Sequence, residues 1–208
     1  GLPGVGAVVT SVTGAGPFAV ATGGNLNIAV ATAPAAGTAI ALPAGYAALQ
    51  AEGTGAATLS DAGTAGAVLI GSAGATVFNS TGASVTLVGG NAANRFNVSG
   101  TATVATGNGA STVVLAGGGG SVRSGGADTV FGGSGPVGIT AATVSGAKGL
   151  TAVGGDGKLT FLGGTGTSVV FGGKGGVDYS PGAAYDIVVG GAGALNGQTG
   201  AAGGQLWG

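Results

Sequence analysis

The chain predicts an all-β fold, a parallel β-solenoid of the β-roll or β-helix kind, with half-coils of about nine residues and an irregular β cap at the N-terminal end. Three observations predict it: the composition, a recurring period, and glycine clusters at regular intervals. Of 208 residues, 52 are Gly and only 11 are charged (5 Lys+Arg, 6 Asp+Glu), with no Cys, Met or His. A typical domain has about 7% Gly and about 25% charged residues, so an ordinary mixed core is excluded. Collagen is excluded as well, because Gly does not fall at every third place and 6 Pro are too few for a triple helix. Disorder needs low hydrophobicity and high net charge, whereas this chain is 44% hydrophobic with a net charge of -1 and a mean hydropathy of +0.58.

The period appears when the sequence is cut after its glycine clusters. Ala67-Val68-Leu69-Ile70, Thr76-Val77-Phe78, Val85-Thr86-Leu87-Val88, Thr112-Val113-Val114-Leu115 and Thr129-Val130-Phe131 are short β-prone runs, each followed by a turn. The same beat returns at Leu159-Thr160-Phe161-Leu162, Val169-Val170-Phe171 and Ile187-Val188-Val189. Runs rich in Val, Phe, Ile, Leu and Thr are strand-like, and the Gly pairs between them are expected to supply the positive φ of tight corners. Strands this short cannot bury a face alone, so the units are expected to stack coil on coil, two per coil and about 18 residues per turn. Residues 54–208 are predicted to form these repeats.

Residues 1–53 are less regular and are predicted to be a cap or a set of interaction strands. Ala7–Val12, Phe18–Ala21, Leu26–Val30 and Ala39–Pro43 are strand-like, with longer connections. Ala44–Glu52 has the best helical propensity of the chain, but it is short.

Five glycine frames carry a resemblance: Gly132-Gly133-Ser134-Gly135, Gly154-Gly155-Asp156-Gly157, Gly163-Gly164-Thr165-Gly166, Gly172-Gly173-Lys174-Gly175 and Gly190-Gly191-Ala192-Gly193. They are similar to the G-G-x-G-x-D-x-U-x nonapeptide of the repeats-in-toxin (hemolysin-type calcium-binding) β-roll family, most closely over the last 90 residues or so. That resemblance implies secretion from a bacterium and calcium bound through the sixth-place Asp. The sixth place here is Val137, Leu159, Ser168, Val177 or Leu195, never Asp, while the eighth is Ile139, Phe161, Val170 or Tyr179 in four frames. Calcium takes about six to eight oxygens, several of them carboxylate. The sequence therefore predicts coils filled with apolar side chains where the family holds ions.

Asp128, in the shortened copy Gly125-Gly126-Ala127-Asp128-Thr129-Val130-Phe131, is the sole metal candidate. It is either a solvated turn carboxylate or a surviving calcium ligand. Asp156 is expected to be a turn residue bonding its own backbone. Asp61, Asp178, Asp186 and Glu52 share no spacing and are expected at the surface. Phe78, Phe131 and Phe171 each follow a Val expected to point inward, so all three are predicted to face out as an aromatic stripe.

Several function classes fall away. The chain lacks the positive field that grips nucleic acid or an anionic membrane, and no apolar run approaches the roughly 18–20 residues of a membrane-spanning helix. The Gly-rich frames do not open helices, so they are not a dinucleotide fingerprint. Without His or Cys there is no catalytic triad and no zinc site, and the scattered acids and bases form no catalytic constellation. No enzyme activity and no cofactor are expected, calcium at Asp128 apart. The leading expectation is an extracellular or cell-surface structural protein, a rod that associates with itself end to end or laterally as a filament, biofilm matrix or surface layer. A calcium- or carbohydrate-binding module of a larger secreted adhesin, with extracellular polysaccharide as partner, is the alternative. The pairs Thr101-Ala102-Thr103 and Thr165-Gly166-Thr167 raise ice binding as a lesser one, which would require Thr to recur on every coil.

Overall fold

The computed structural model describes residues 7–12, 26–32, 38–61, 63, 65–143 and 148–208. Among these there are 21 strands and no helix. In chain order they are β1 (Ala7–Val12), β2 (Leu26–Thr32), β3 (Thr38–Ala41), β4 (Ala48–Glu52), β5 (Ala57–Asp61), β6 (Ala67–Ile70) and β7 (Thr76–Ser80). Then come β8 (Ser84–Val88), β9 (Arg95–Val98), β10 (Thr101–Ala105), β11 (Thr112–Leu115), β12 (Gly120–Arg123), β13 (Thr129–Gly132) and β14 (Val137–Thr140). The last are β15 (Thr151–Val153), β16 (Leu159–Leu162), β17 (Val169–Phe171), β18 (Val177–Ser180), β19 (Asp186–Val189), β20 (Leu195–Gly197) and β21 (Gly204–Trp207).

From β2 onward, alternate strands go to opposite walls. The first sheet has 11 strands, β1-β2-β4-β6-β8-β10-β12-β14-β16-β18-β20, and the second has 10, running from β3 through the odd-numbered strands to β21. Every ladder pair is parallel, the mark of a coil that returns to the same wall one turn later. Neighbouring coils are offset by 18 residues between Thr76 and Asn94 and by 17 between Asn94 and Ser111. The solenoid and its period are as the sequence predicts. The described residues within 1–53 contribute β1 to β4 to the same two ladders, and the stretch of highest helical propensity ends as β4, paired with β2 and β6, while the expected strand Phe18–Ala21 lies outside the described residues. Parallel pairing on both sides overrides a weak local preference.

The interior is built of rungs. On the first sheet Leu49, Leu69, Leu87, Val104, Val122, Ile139, Phe161 and Tyr179 stand in register, and on the second Ile40, Leu59, Phe78, Phe96, Val113, Val130, Ala152, Val170 and Val188 do the same. All are buried in one continuous core. Bulk alternates between the walls. Phe78 and Phe96 stack at 4.6 Å on the second sheet, and Phe161 and Tyr179 lie 6.1 Å apart on the first, where the second supplies Ala152 and Val170. Complementary volumes of this kind fill a narrow interior without voids.

The glycine frames do a different job from the one expected. Among the described residues, none of the paired glycines that open the five frames has a positive φ; Gly119 and Gly120 do, at 78° and 137°. Instead, a Cβ on Gly155 would strike the carbonyl oxygen of Gly133, one on Gly173 that of Gly155, and one on Gly191 that of Gly173. The frames are glycine because successive coils touch there backbone to backbone.

Candidate functional site

One corner of the coil collects buried polar side chains. Thr76, Asn94, Ser111, Asp128, Ser168 and Asp186 all occupy the place just before, or at the first residue of, a strand of the second sheet, and all six are buried. They form a ladder between coils. The Thr76 amide donates to Asn94 Oδ1 (3.1 Å), the Asn94 amide to Ser111 Oγ (3.1 Å) and the Ser111 amide to Asp128 Oδ1 (2.7 Å). Leu150 offers no side-chain acceptor and breaks the row, which resumes with the Leu150 amide donating to Ser168 Oγ at 3.4 Å and the Ser168 amide to Asp186 Oδ1 at 2.7 Å. Buried polar groups must be paired, and here, the coil of Leu150 apart, each coil supplies the acceptor for the one before it.

Asp128 is therefore neither solvated nor at the surface; it is 1% exposed. Its Oδ2 accepts the hydroxyls of Thr106 and Ser124, both at 2.6 Å, and the Gly126 amide at 3.4 Å. Both carboxylate oxygens are engaged by protein donors. No cluster of three His, Cys, Asp or Glu side chains exists among the described residues.

Asp61 and Asp186, expected at the surface, are also buried. Asp186 accepts the Tyr179 hydroxyl at 2.8 Å, and burial, reinforced by that carboxylate, holds the Tyr179 phenol well above its usual range. Asp61 Oδ1 accepts the Gly63 amide at 2.8 Å, while Asp61 Oδ2 and Ser80 Oγ, on paired residues of β5 and β7, have no partner. The remaining acids do lie outside. Asp178 pairs with Lys158 at 2.5 Å and accepts Asn196 Nδ2 at 3.0 Å, and these hydrogen bonds hold its carboxyl below the ordinary value. Asp156 pairs with Lys174 at 3.0 Å, a cross-coil ion pair rather than the local turn bond expected. The structure does not bring these acids together. Alignment on the 17- to 18-residue offset would have exposed the buried row, since its members recur at that interval.

The outer walls differ. On the first sheet Thr86, Thr103 and Ser121 follow one another in register, with Ser121 Oγ donating to Thr103 Oγ1 at 3.5 Å, and Gly138 then interrupts before Thr160. A cavity of about 260 Å³ opens beside this wall, lined by Arg123, Asn108, Ser124 and Thr143. On the second sheet the outer face is polar at first, with Asn97 Nδ2 donating to Asn79 Oδ1 at 2.8 Å.

From β11 onward that face changes. Val114, Phe131, Val153, Phe171, Val189 and Trp207 stand in register on six successive strands. Phe131 is 40% exposed, Phe171 42% and Trp207 59%. Beside them runs Thr112, Thr129, Thr151, Val169, Ile187 and Gln205, so no outward side chain of these six strands is charged. The expected stripe exists in part. Phe131 and Phe171 belong to it, but Phe78 is fully buried. The cause is a one-residue slip: Thr76 fills the corner place that Asp128 fills before β13, so Phe78 falls where Val130 does. Trp207 takes its place on the exposed face.

No family model, no curated protein and no solved structure matches the chain. The reading of its function therefore rests on its own side chains.

Proposed function

We propose that this chain is an extracellular structural and adhesive rod, a non-catalytic scaffold that works by contact along one flank. The observation that carries the proposal is the in-register stripe of Val114, Phe131, Val153, Phe171, Val189 and Trp207, free of charge, with its three aromatic rings exposed and its three valines half-buried. Contiguous exposed apolar surface marks a place of association, and charge is what a non-associating sheet face usually carries. Two further features support it. The interior is packed with side chains, and the buried carboxylates of Asp128 and Asp186 are engaged by backbone and hydroxyl donors, which favours a rigid frame over a reactive cleft. The glycine frames resemble those of secreted repeat proteins, and this supports placement outside the cell.

The test compares Phe131→Lys/Phe171→Lys with Thr103→Lys/Thr160→Lys on the opposite wall. Each is assayed by sedimentation velocity over a concentration series and by retention on insoluble matrix polysaccharides. Association lost only in the phenylalanine variant supports the reading. No association in any form, or equal loss from both walls, refutes it.

A further inference from the structure

The stripe is apolar throughout, but its aromatic and aliphatic members alternate. Aromatic rings occur at Phe131, Phe171 and Trp207, on β13, β17 and β21, and the strands between them carry Val153 and Val189. Each ring is thus two strands from the next, about 9.6 Å at the usual strand spacing. An aromatic face is electron-rich and attracts polarised C–H groups, which the flat side of a pyranose chair presents. In an extended β-1,4-linked glycan successive rings are turned over, so alternate sugars show the same face, and each sugar advances the chain by close to one strand spacing. Rings on alternate strands therefore meet alternate sugars.

Resting on the reading of this face as the contact surface, we infer that the stripe is a binding platform for an extended, uncharged β-1,4-linked polysaccharide of the cellulose or chitin type, laid along the solenoid axis. The charge pattern fits that occupant. None of the outward side chains of the six strands is ionisable, so an acidic polysaccharide or a nucleic acid finds no partner there. The neighbouring row offers the hydroxyls of Thr112, Thr129 and Thr151 and the amide of Gln205 to sugar hydroxyls. Valines between the rings leave low ground where the intervening, inverted sugars lie.

The experiment is depletion of the purified full chain by microcrystalline cellulose and, separately, by insoluble chitin, with starch as an α-linked control whose chain does not extend. The single tryptophan is Trp207, so its fluorescence reads occupancy directly in titrations with soluble β-1,4 oligosaccharides. Expected are binding to cellulose, chitin or both, no binding to starch, a blue shift of Trp207, and a loss of about tenfold in affinity for Phe171→Ala. The decisive variant is Phe131→Val/Val153→Phe, which keeps the composition and the exposed apolar side chains but moves one ring onto an adjacent strand. It is expected to bind as weakly as Phe131→Ala. Wild-type affinity in this variant overturns the spacing argument, and equal binding to starch overturns the linkage assignment. Concentration-dependent sedimentation without depletion by either solid overturns the glycan while leaving lateral association intact.

Discussion

Replacing Asp128 by Ala removes an acceptor from the middle of the buried ladder, and the consequences can be worked bond by bond. The Ser111 amide loses its partner at 2.7 Å and is left a stranded buried donor, worth about 1–3 kcal/mol. The Ser124 and Thr106 hydroxyls fare better, because the Gly126 and Gly107 carbonyls lie 3.2 and 3.3 Å away, so each loses only about 0.5–1.5 kcal/mol. The sum is about 4 kcal/mol, or a fall in melting temperature of about 8–16 °C in a domain of this size. Asp128→Asn keeps an oxygen for the Ser111 amide and should recover about half of the loss. Thermal melts followed by far-ultraviolet circular dichroism, in chelator and again in excess calcium, provide the assay. The wild type should melt at the same temperature in both. A melting point for Asp128→Ala within about 2 °C of the wild type would show that the ladder contributes little. Calcium raising the wild-type melting point but not that of the variant would mean that the carboxylate serves an ion instead, since a ligand at a hundred times its Kd stabilises by about 2.7 kcal/mol.

Three further outcomes follow from the same geometry. Phe96→Ala, which deletes one ring of the buried stack, should destabilise by about 3–5 kcal/mol, whereas Phe131→Ala on the outer face should stay within about 0.5 kcal/mol, both read from denaturant midpoints. Gly155→Ala, whose methyl group meets the Gly133 carbonyl, should lower the melting temperature far more than Gly66→Ala, where the new methyl has open space and only the φ of 75° is unfavourable, by about 1 kcal/mol. Tyr179 has a raised phenol pKa, so the stability it contributes is complete below the unfolded value of 10.0 and is lost as pH rises beyond it; unfolding free energy should fall above pH 10.0 by up to about 1.4 kcal/mol per pH unit, and Tyr179→Phe should flatten that slope in alkaline denaturation curves.

The architecture was legible because its causes are local and repeated: Val, Phe and Thr in short runs, and glycine at each return of the chain. What glycine does there was less legible. The paired residues suggested unusual φ, yet Gly155 and Gly173 are required by contacts with another coil, which no window of sequence displays. Side-chain parity was hidden for a similar reason. Thr76-Val77-Phe78 and Thr129-Val130-Phe131 are the same tripeptide, and only the residue filling the corner, Thr76 in one coil and Asp128 in the other, decides which side the ring takes. Isolated acids such as Asp61 and Asp186 look like surface charges until the donors of adjacent coils are placed beside them. Trp207 escaped the stripe because its neighbours there, Val189 and Phe171, are one and two coils away.

One coil is longer than the rest. The chain leaves the first sheet after Thr140 and rejoins the second at Thr151, yet Thr129 still faces Thr151 and Val137 still faces Leu159, so both ladders continue undisturbed. At that level Leu150 fills the polar corner with a buried aliphatic side chain. The rod's backbone and its ornament are thus independent variables: residues added to the sequence between Thr140 and Thr151 are fastened at both ends by strands that stay in step, and lengthening the connection adds only a slowly growing closure entropy. A lineage, or an engineer, can graft a new peptide at this bend without renegotiating the stack on either side.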